Sequence, residues 1–280
     1  MSSYAYYNGK FGKKKDISIP LSDRSIYFGD AIYDAAIGSY DRILWENEHI
    51  DRFLANAEKI GIKHSFSKEY LSSLLREVAI KSMLRSYFLY FQISRSLPDR
   101  RHSASGASAK LLITVDPIFI EPNPAPLKLI TVSDKRFGYC NLKTTNLLPS
   151  VLASTKAEKN GCDEAVFVKG RYVTECAKSN ISIIKQGRVI THPKNNKILP
   201  GIAREHLLLN CRNFCIPYEE RPFSVNEMLS ADEILVTSTT KLCRITDTIN
   251  RKKVGGKNTD LARNLCEAMY SDYKDFCKIQ

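Results

Sequence analysis

Asn141-Leu142-Lys143-Thr144-Thr145-Asn146-Leu147-Leu148 sets a lone lysine between a strand-like run, Leu127–Ser133, and a helix start. Leu147, Leu148, Val151 and Leu152 recur at helical spacing behind it. A lysine at a strand end is an amine nucleophile where its neighbours lower its proton affinity. A lysine taken at random is a solvated one, so the weight rests on what surrounds this one.

Downstream, Asp163-Glu164-Ala165-Val166-Phe167-Val168 and Tyr172-Val173-Thr174-Glu175 read as strands joined by a Lys169-Gly170 turn. Then come Cys176-Ala177-Lys178-Ser179-Asn180, Ile190-Thr191-His192-Pro193 and Ile198-Leu199-Pro200-Gly201-Ile202-Ala203-Arg204. Upstream, Asp116 to Pro126 holds four prolines, which favour extended backbone and exclude helix. It divides the chain into a small N-terminal α/β domain (1–116), a linker (117–126) and a larger C-terminal domain (127–280). In the first, Tyr4–Tyr7, Asn8-Gly9 and the residues after them form a hairpin. Asn47–Lys63 and Lys68–Leu84 are amphipathic helices, while Tyr87–Ser94 and Lys110–Val115 are strands. In the second, strands alternate with helices near 147–159, 202–214, 225–229 and 259–275. The fold class is α/β, with mixed α+β character.

These segments, in this order, resemble the class IV aminotransferases, the fold type IV enzymes that use pyridoxal phosphate. Glu175, Asn180, Thr191, Leu199, Gly201, Ile202 and Arg204 fall in register with that family's signature. Asp23-Arg24, Phe28-Gly29-Asp30, Tyr33-Asp34, Glu48-His49-Ile50-Asp51-Arg52, Arg100-x-His102 and Val236-Thr237-Ser238-Thr239-Thr240 are similar to its D-amino acid branch. The resemblance implies that Lys143 is the catalytic amine and binds the cofactor, that Glu175 keeps the pyridine nitrogen protonated, and that Leu199 packs on the ring. It assigns the phosphate to Arg52, Ser238, Thr239 and the amides of Ile202 and Ala203 at a helix start. Periodicity alone makes Arg52 a solvated position. Tyr33, Arg100 and His102 are the implied trap for the substrate carboxylate, the arginine and histidine arriving from a second subunit, hence a homodimer.

The implied reaction is transamination between D-amino acids (D-alanine, D-glutamate) and 2-oxo acids. L-branched-chain aminotransferase and aminodeoxychorismate lyase activities share the fold, but Arg100-x-His102 is not their usual carboxylate recognition. A basic binding protein retaining only the scaffold is the remote alternative. This chain departs from the branch in three places. Ala203 stands for a common threonine, Cys176-Ala177-Lys178 for small hydroxyl residues, and Ser182 for an aromatic.

Composition fits this reading. Of 280 residues, 43% are hydrophobic and 26% charged, enough for a sizeable core. No apolar run reaches membrane-spanning length, and the N-terminus carries no apolar signal core. The eight cysteines lack zinc spacing, so no metal is expected, and they suit the reduced thiols of a cytoplasm. The net charge of +12 is spread along the chain, not gathered on one face. That speaks against nucleic acid and for a cationic surface that draws in anionic substrates.

Overall fold

A computed structural model describes residues 3–278. They form two compact units, residues 3–120 with 142–146, and 121–141 with 147–278. The short segment around Lys143 thus packs with the first unit, although it is flanked on both sides by the second.

The first unit contains β1 (Tyr4–Tyr7), β2 (Lys10–Lys13), α1 (Ser25–Phe28), β3 (Ala31–Ser39), β4 (Arg42–Ile43), α2 (Glu46–Lys59), α3 (Lys68–Ser82), β5 (Ser86–Ser96) and β6 (Ser108–Pro117). Its sheet runs β2-β1-β6-β5-β3-β4. The pairing of β5 with β6 continues to Tyr87 opposite Pro117, so the strand enters the proline-rich segment before it stops. Alternation along β5 buries Tyr87, Leu89, Phe91 and Ile93, which pack with Ile50 and Phe53 of α2 and Leu71, Leu75 and Val78 of α3. Burying each such side chain contributes about 1.5–3 kcal/mol. Helix α2 stops at Lys59, and Gly61, at φ +70°, ends it.

The second unit contains β7 (Leu127–Ser133), α4 (Leu148–Lys159), β8 (Glu164–Lys169), β9 (Tyr172–Cys176), β10 (Asn180–Lys185), β11 (Arg188–Thr191), α5 (Ile202–Asn213), β12 (Tyr218–Glu220), α6 (Val225–Leu229), β13 (Glu233–Ser238), β14 (Leu242–Ile249), β15 (Lys252–Lys253) and α7 (Thr259–Lys278). The sheet order is β12-β11-β10-β13-β14-β7-β8-β9, with β15 beside β14. Val166, Val173, Ile181, Ile183, Ile234 and Val236 belong to its main core.

Helix α4 inverts the usual rule that an apolar stripe faces the core. Leu148, Val151 and Leu152 are 68%, 54% and 62% exposed. The helix instead buries Ser150, Ala153 and Ala157, whose small side chains let it lie close against Ile130, Ala165 and Phe167. Among the described residues, no helix is long and apolar enough to cross a membrane.

Candidate active site

In the first unit, Lys143 is held by backbone. Tyr33 N–H donates to the Lys143 carbonyl at 2.9 Å, and Ile32 forms a bridge with Thr144. Thr145 Oγ1 and Asn146 Nδ2 donate to the Gly29 carbonyl at 3.0 and 2.9 Å. Gly29 is at φ +58°, and a Cβ there would lie 2.5 Å from Asn146 Oδ1, so only glycine fits beneath this segment. The Lys143 ammonium lies 4.5 Å from the centroid of Tyr33, whose ring stacks on Tyr90 at 5.3 Å.

Beside Tyr33 in sequence, Asp34 is fully buried. It takes two hydrogen bonds from Arg52, Nε to Oδ2 and Nη2 to Oδ1, each 2.8 Å, and one contact from His49 Nδ1 at 2.8 Å. His49 and Arg52 are three residues apart on α2 and so share a face. Burial alone would raise the Asp34 carboxyl, but the Arg52 charge and the His49 bond hold it well below the usual carboxylate range. Burial pushes His49 down, only partly offset by Asp34, which favours the neutral imidazole. With Nδ1–H on Asp34, Nε2 is left as a bare acceptor, buried and without a partner among the described residues. Sequence motifs mark Asp34 and His49 but assign them no role. Arg52 lies pinned on a buried acid with its side chain 12% exposed, not solvated as periodicity suggests.

Arg100 and His102 sit exposed in the 97–107 loop. Arg100 stacks 4.9 Å from the Phe28 centroid, and the His102 ring lies 5.3 Å from Phe28. Buried Arg24 fixes the loop from beneath, donating to the carbonyls of Arg101 and His102 at 2.5 and 2.8 Å and to Asp30 at 2.7 Å. Among the described residues, neither Arg100 nor His102 bonds to Tyr33 or Lys143 of its own chain.

In the second unit, the end of β9 and the start of β10 converge on Glu175. Its carboxylate accepts from Arg136 Nη1, from Asn180 Nδ2 at 3.0 Å and from the Leu199 amide at 3.1 Å. Arg136 also forks onto Asp134, through Nε at 3.0 Å and Nη2 at 2.8 Å, and lies 4.3 Å from the Phe167 centroid. Burial would lower the Arg136 guanidinium, but Asp134 and Glu175 outweigh it and raise it above its ordinary value. Sequence reading misses Arg136 because it stands in an irregular stretch with no periodicity. Leu199 contributes its amide to Glu175 and its carbonyl to Asn180, at 2.9 Å.

Helix α5 starts at Ile202 with Gly201 as N-cap and no side-chain cap, and Ile202 and Ala203 are buried. A Cβ on Gly201 would lie 2.0 Å from Asn180 Oδ1, so this approach also demands glycine. Asn180 pairs with Thr237 across the sheet, which brings the turn after β13, with Ser238 and Thr239, to the same end. Ser238 Oγ accepts the Lys241 amide at 3.2 Å and closes that turn. Among the described residues, buried Thr237 Oγ1 and Ser182 Oγ have no partner. The Lys178 side chain is exposed.

Each unit carries groups whose chemistry suits pyridoxal phosphate: in the second, an uncapped helix start suits a phosphate dianion and a fixed carboxylate suits a pyridinium, and in the first a lone amine suits an aldehyde.

Residues 32–247 match the model of the family described as amino-transferase class IV. The chain is 35% identical over 242 residues to the D-alanine aminotransferase of Staphylococcus epidermidis (strain ATCC 35984), covering 84% of each chain. It is 32% identical over 268 residues to that of Bacillus licheniformis, covering 94% of each. Its fold is similar to the branched-chain aminotransferase of the thermophilic archaeon Thermoproteus uzoniensis, solved with norvaline, at TM-score 0.87 and 20% identity, over 98% of this chain and 96% of that one. With its family model spanning both units and its relatives matching along most of their length, the chain belongs to the class IV aminotransferases.

Proposed function

We propose that this protein is a pyridoxal phosphate-dependent D-amino acid transaminase, exchanging amino groups between D-alanine or D-glutamate and 2-oxo acids. The observation that carries the reading is 32–35% identity to relatives named D-alanine aminotransferase over most of the chain. Arg100-x-His102 on an exposed, Arg24-braced loop supports it.

Bound pyridoxal phosphate supplies an aldehyde that condenses with amines and a ring that withdraws electrons. Lys143 Nζ would hold the cofactor through its aldehyde and would carry a proton to and from the substrate α-carbon. Glu175 keeps the pyridine nitrogen protonated. Arg136 donates to Glu175, which would accept a hydrogen bond from that nitrogen. By the family resemblance, Arg52, oriented by Asp34, would hold the phosphate, as would the amides of Ile202 and Ala203 with Ser238 and Thr239. Ala203 offers an amide but no hydroxyl. Leu199 would pack on the ring. Tyr33, with Arg100 and His102 from a second subunit, fixes the substrate carboxylate. Donor and acceptor use the site in turn, a ping-pong scheme.

The homodimer this requires is supported by the exposed Leu148, Val151 and Leu152 face of α4. A cytoplasmic setting is supported by eight free cysteines. We take 127–280 as the cofactor-binding domain and 1–116 as the small one.

The test is an assay of the purified protein with D-alanine and 2-oxoglutarate, reading pyruvate. Formation of pyruvate supports the reading. Turnover of L-valine or L-leucine with none on either D-amino acid overturns it.

A further inference from the structure

We propose that the buried Glu164–Lys241 ion pair is a positioning device that sets the phosphate end of the cofactor site. The inference rests on the cofactor reading above and adds to it two residues that touch no reacting atom.

Glu164 opens β8 and is completely buried. Its carboxylate draws together two turns that are far apart in the chain. Oε1 accepts the Lys178 amide at 2.6 Å, and Oε2 accepts Ser179 Oγ at 2.9 Å. Both donors belong to the turn between Glu175 and Asn180. Oε2 also accepts Lys241 Nζ at 2.8 Å, and Lys241 belongs to the turn that carries Ser238 and Thr239. Lys241 Nζ reaches Ser179 Oγ at 3.4 Å as well, so the two turns are linked directly. One buried acid thus ties the turn that follows the pyridine's proposed carboxylate to the turn that bears the proposed phosphate hydroxyls.

The second turn needs such a brace. Leu242, the residue after Lys241, sits at φ +54°, a left-handed conformation that a branched side chain avoids. Such a conformation persists only where the surroundings impose it. The Lys241 amide on Ser238 Oγ closes the turn from within, and the ammonium on Glu164 anchors it from outside. Lys241 keeps 17% of its side chain exposed while Glu164 keeps none, so the acid depends on the lysine for its countercharge. The lysine serves the phosphate through Glu164, not by touching it.

The test measures affinity in the full chain freed of cofactor, by fluorescence titration with pyridoxal 5'-phosphate and, separately, with pyridoxal, which lacks the phosphate. Lys241→Met is expected to weaken pyridoxal 5'-phosphate about tenfold or more, as misplaced binding groups do, and to leave pyridoxal unchanged. Lys241→Arg restores most of the loss. Glu164→Gln and the double variant lose as much as Lys241→Met and no more, because both residues act as one unit. The double variant leaves no unpaired buried charge, so it carries the test if a single variant does not fold. Unchanged affinity in a folded Lys241→Met protein overturns the proposal, as does equal weakening of pyridoxal. Tighter binding in Glu164→Gln, the mark of a lysine released onto the phosphate, overturns it too. Failure of the unaltered chain to bind pyridoxal 5'-phosphate is a different result, and sinks the cofactor reading itself.

Discussion

Arg52 grips Asp34 with two nitrogens, Nε and Nη2, each 2.8 Å from a different carboxylate oxygen. Two parallel bonds fix a guanidinium plane in a way that one cannot. The rest of the fork is thereby aimed, and an aimed cation binds phosphate without first losing its own freedom. Asp34→Asn removes the charge while keeping the shape. It is expected to destabilise the fold by about 3 kcal/mol, since it leaves a mostly buried arginine without its acid. It should also weaken pyridoxal 5'-phosphate. Urea unfolding of the cofactor-free chain and a cofactor titration check the two effects. Unchanged values in both would show that Arg52 needs no orienting partner.

The Lys143 assignment has a direct chemical test. Borohydride reduction of the cofactor-loaded protein should leave a pyridoxyl mass on the peptide containing Lys143. Lys143→Ala should abolish that adduct and all turnover, because the reaction needs an amine at the place beside Tyr33 that Lys143 occupies. An adduct on another lysine would remove Lys143 from its role.

His49 makes stability depend on pH. Its folded pKa lies below the ordinary 6.5, first because it is buried, although Asp34 partly opposes this. The unfolded chain therefore binds the extra proton more readily. The stabilisation from a neutral His49 is complete above the unfolded value and declines as pH falls through and below it. His192 is lowered too, chiefly by burial, and adds to the same slope. Between about pH 7.5 and pH 5.0 the urea midpoint should fall. His49→Asn, which keeps a donor for Asp34 but does not titrate there, should fall less steeply. Equal slopes would mean that His49 titrates alike in both states.

Glu175 and Arg136 illustrate how far the sequence could be read. Glu175 ends a strand, precedes Asn180 by five residues and sits in a recognisable order of segments, so local pattern reveals it. Arg136 has no such mark. Its value comes from Asp134, Phe167 and Glu175, which meet it only once β7, β8 and β9 lie side by side. Glu164 and Lys241 were invisible for the same reason. Helix α4 is the opposite case, a clear apolar period that forms the expected helix but does not face the core. Periodicity reports that a face is apolar, and it is silent on whether the cover comes from the same chain. Arg136→Met follows from the buried geometry. It removes the guanidinium that Asp134 and Glu175 share, and should cost about 3–5 kcal/mol, the usual penalty for breaking a buried pair. Arg136→Lys, lacking the planar fork, should recover only part. Full stability in Arg136→Met would contradict the buried triad.

The α4 face gives the last prediction. Leu148, Val151 and Leu152 lie at i, i+3 and i+4, and so form one exposed apolar stripe. Left in water, three such side chains forgo about 1.5–3 kcal/mol each, a loss a second copy of the chain would recover. Leu148→Asp with Leu152→Asp places charge on that stripe and touches none of Ser150, Ala153 and Ala157, which hold the helix to its own unit. The altered chain should fold with an unchanged far-ultraviolet spectrum and sediment as a monomer at concentrations where the proposed dimer of the unaltered chain forms. It should also lose D-amino acid turnover, since Arg100 and His102 would no longer arrive from a partner, yet still bind pyridoxal 5'-phosphate. A dimer that survives both aspartates would move the interface elsewhere. A monomer that keeps full turnover would mean that each chain builds its own carboxylate trap.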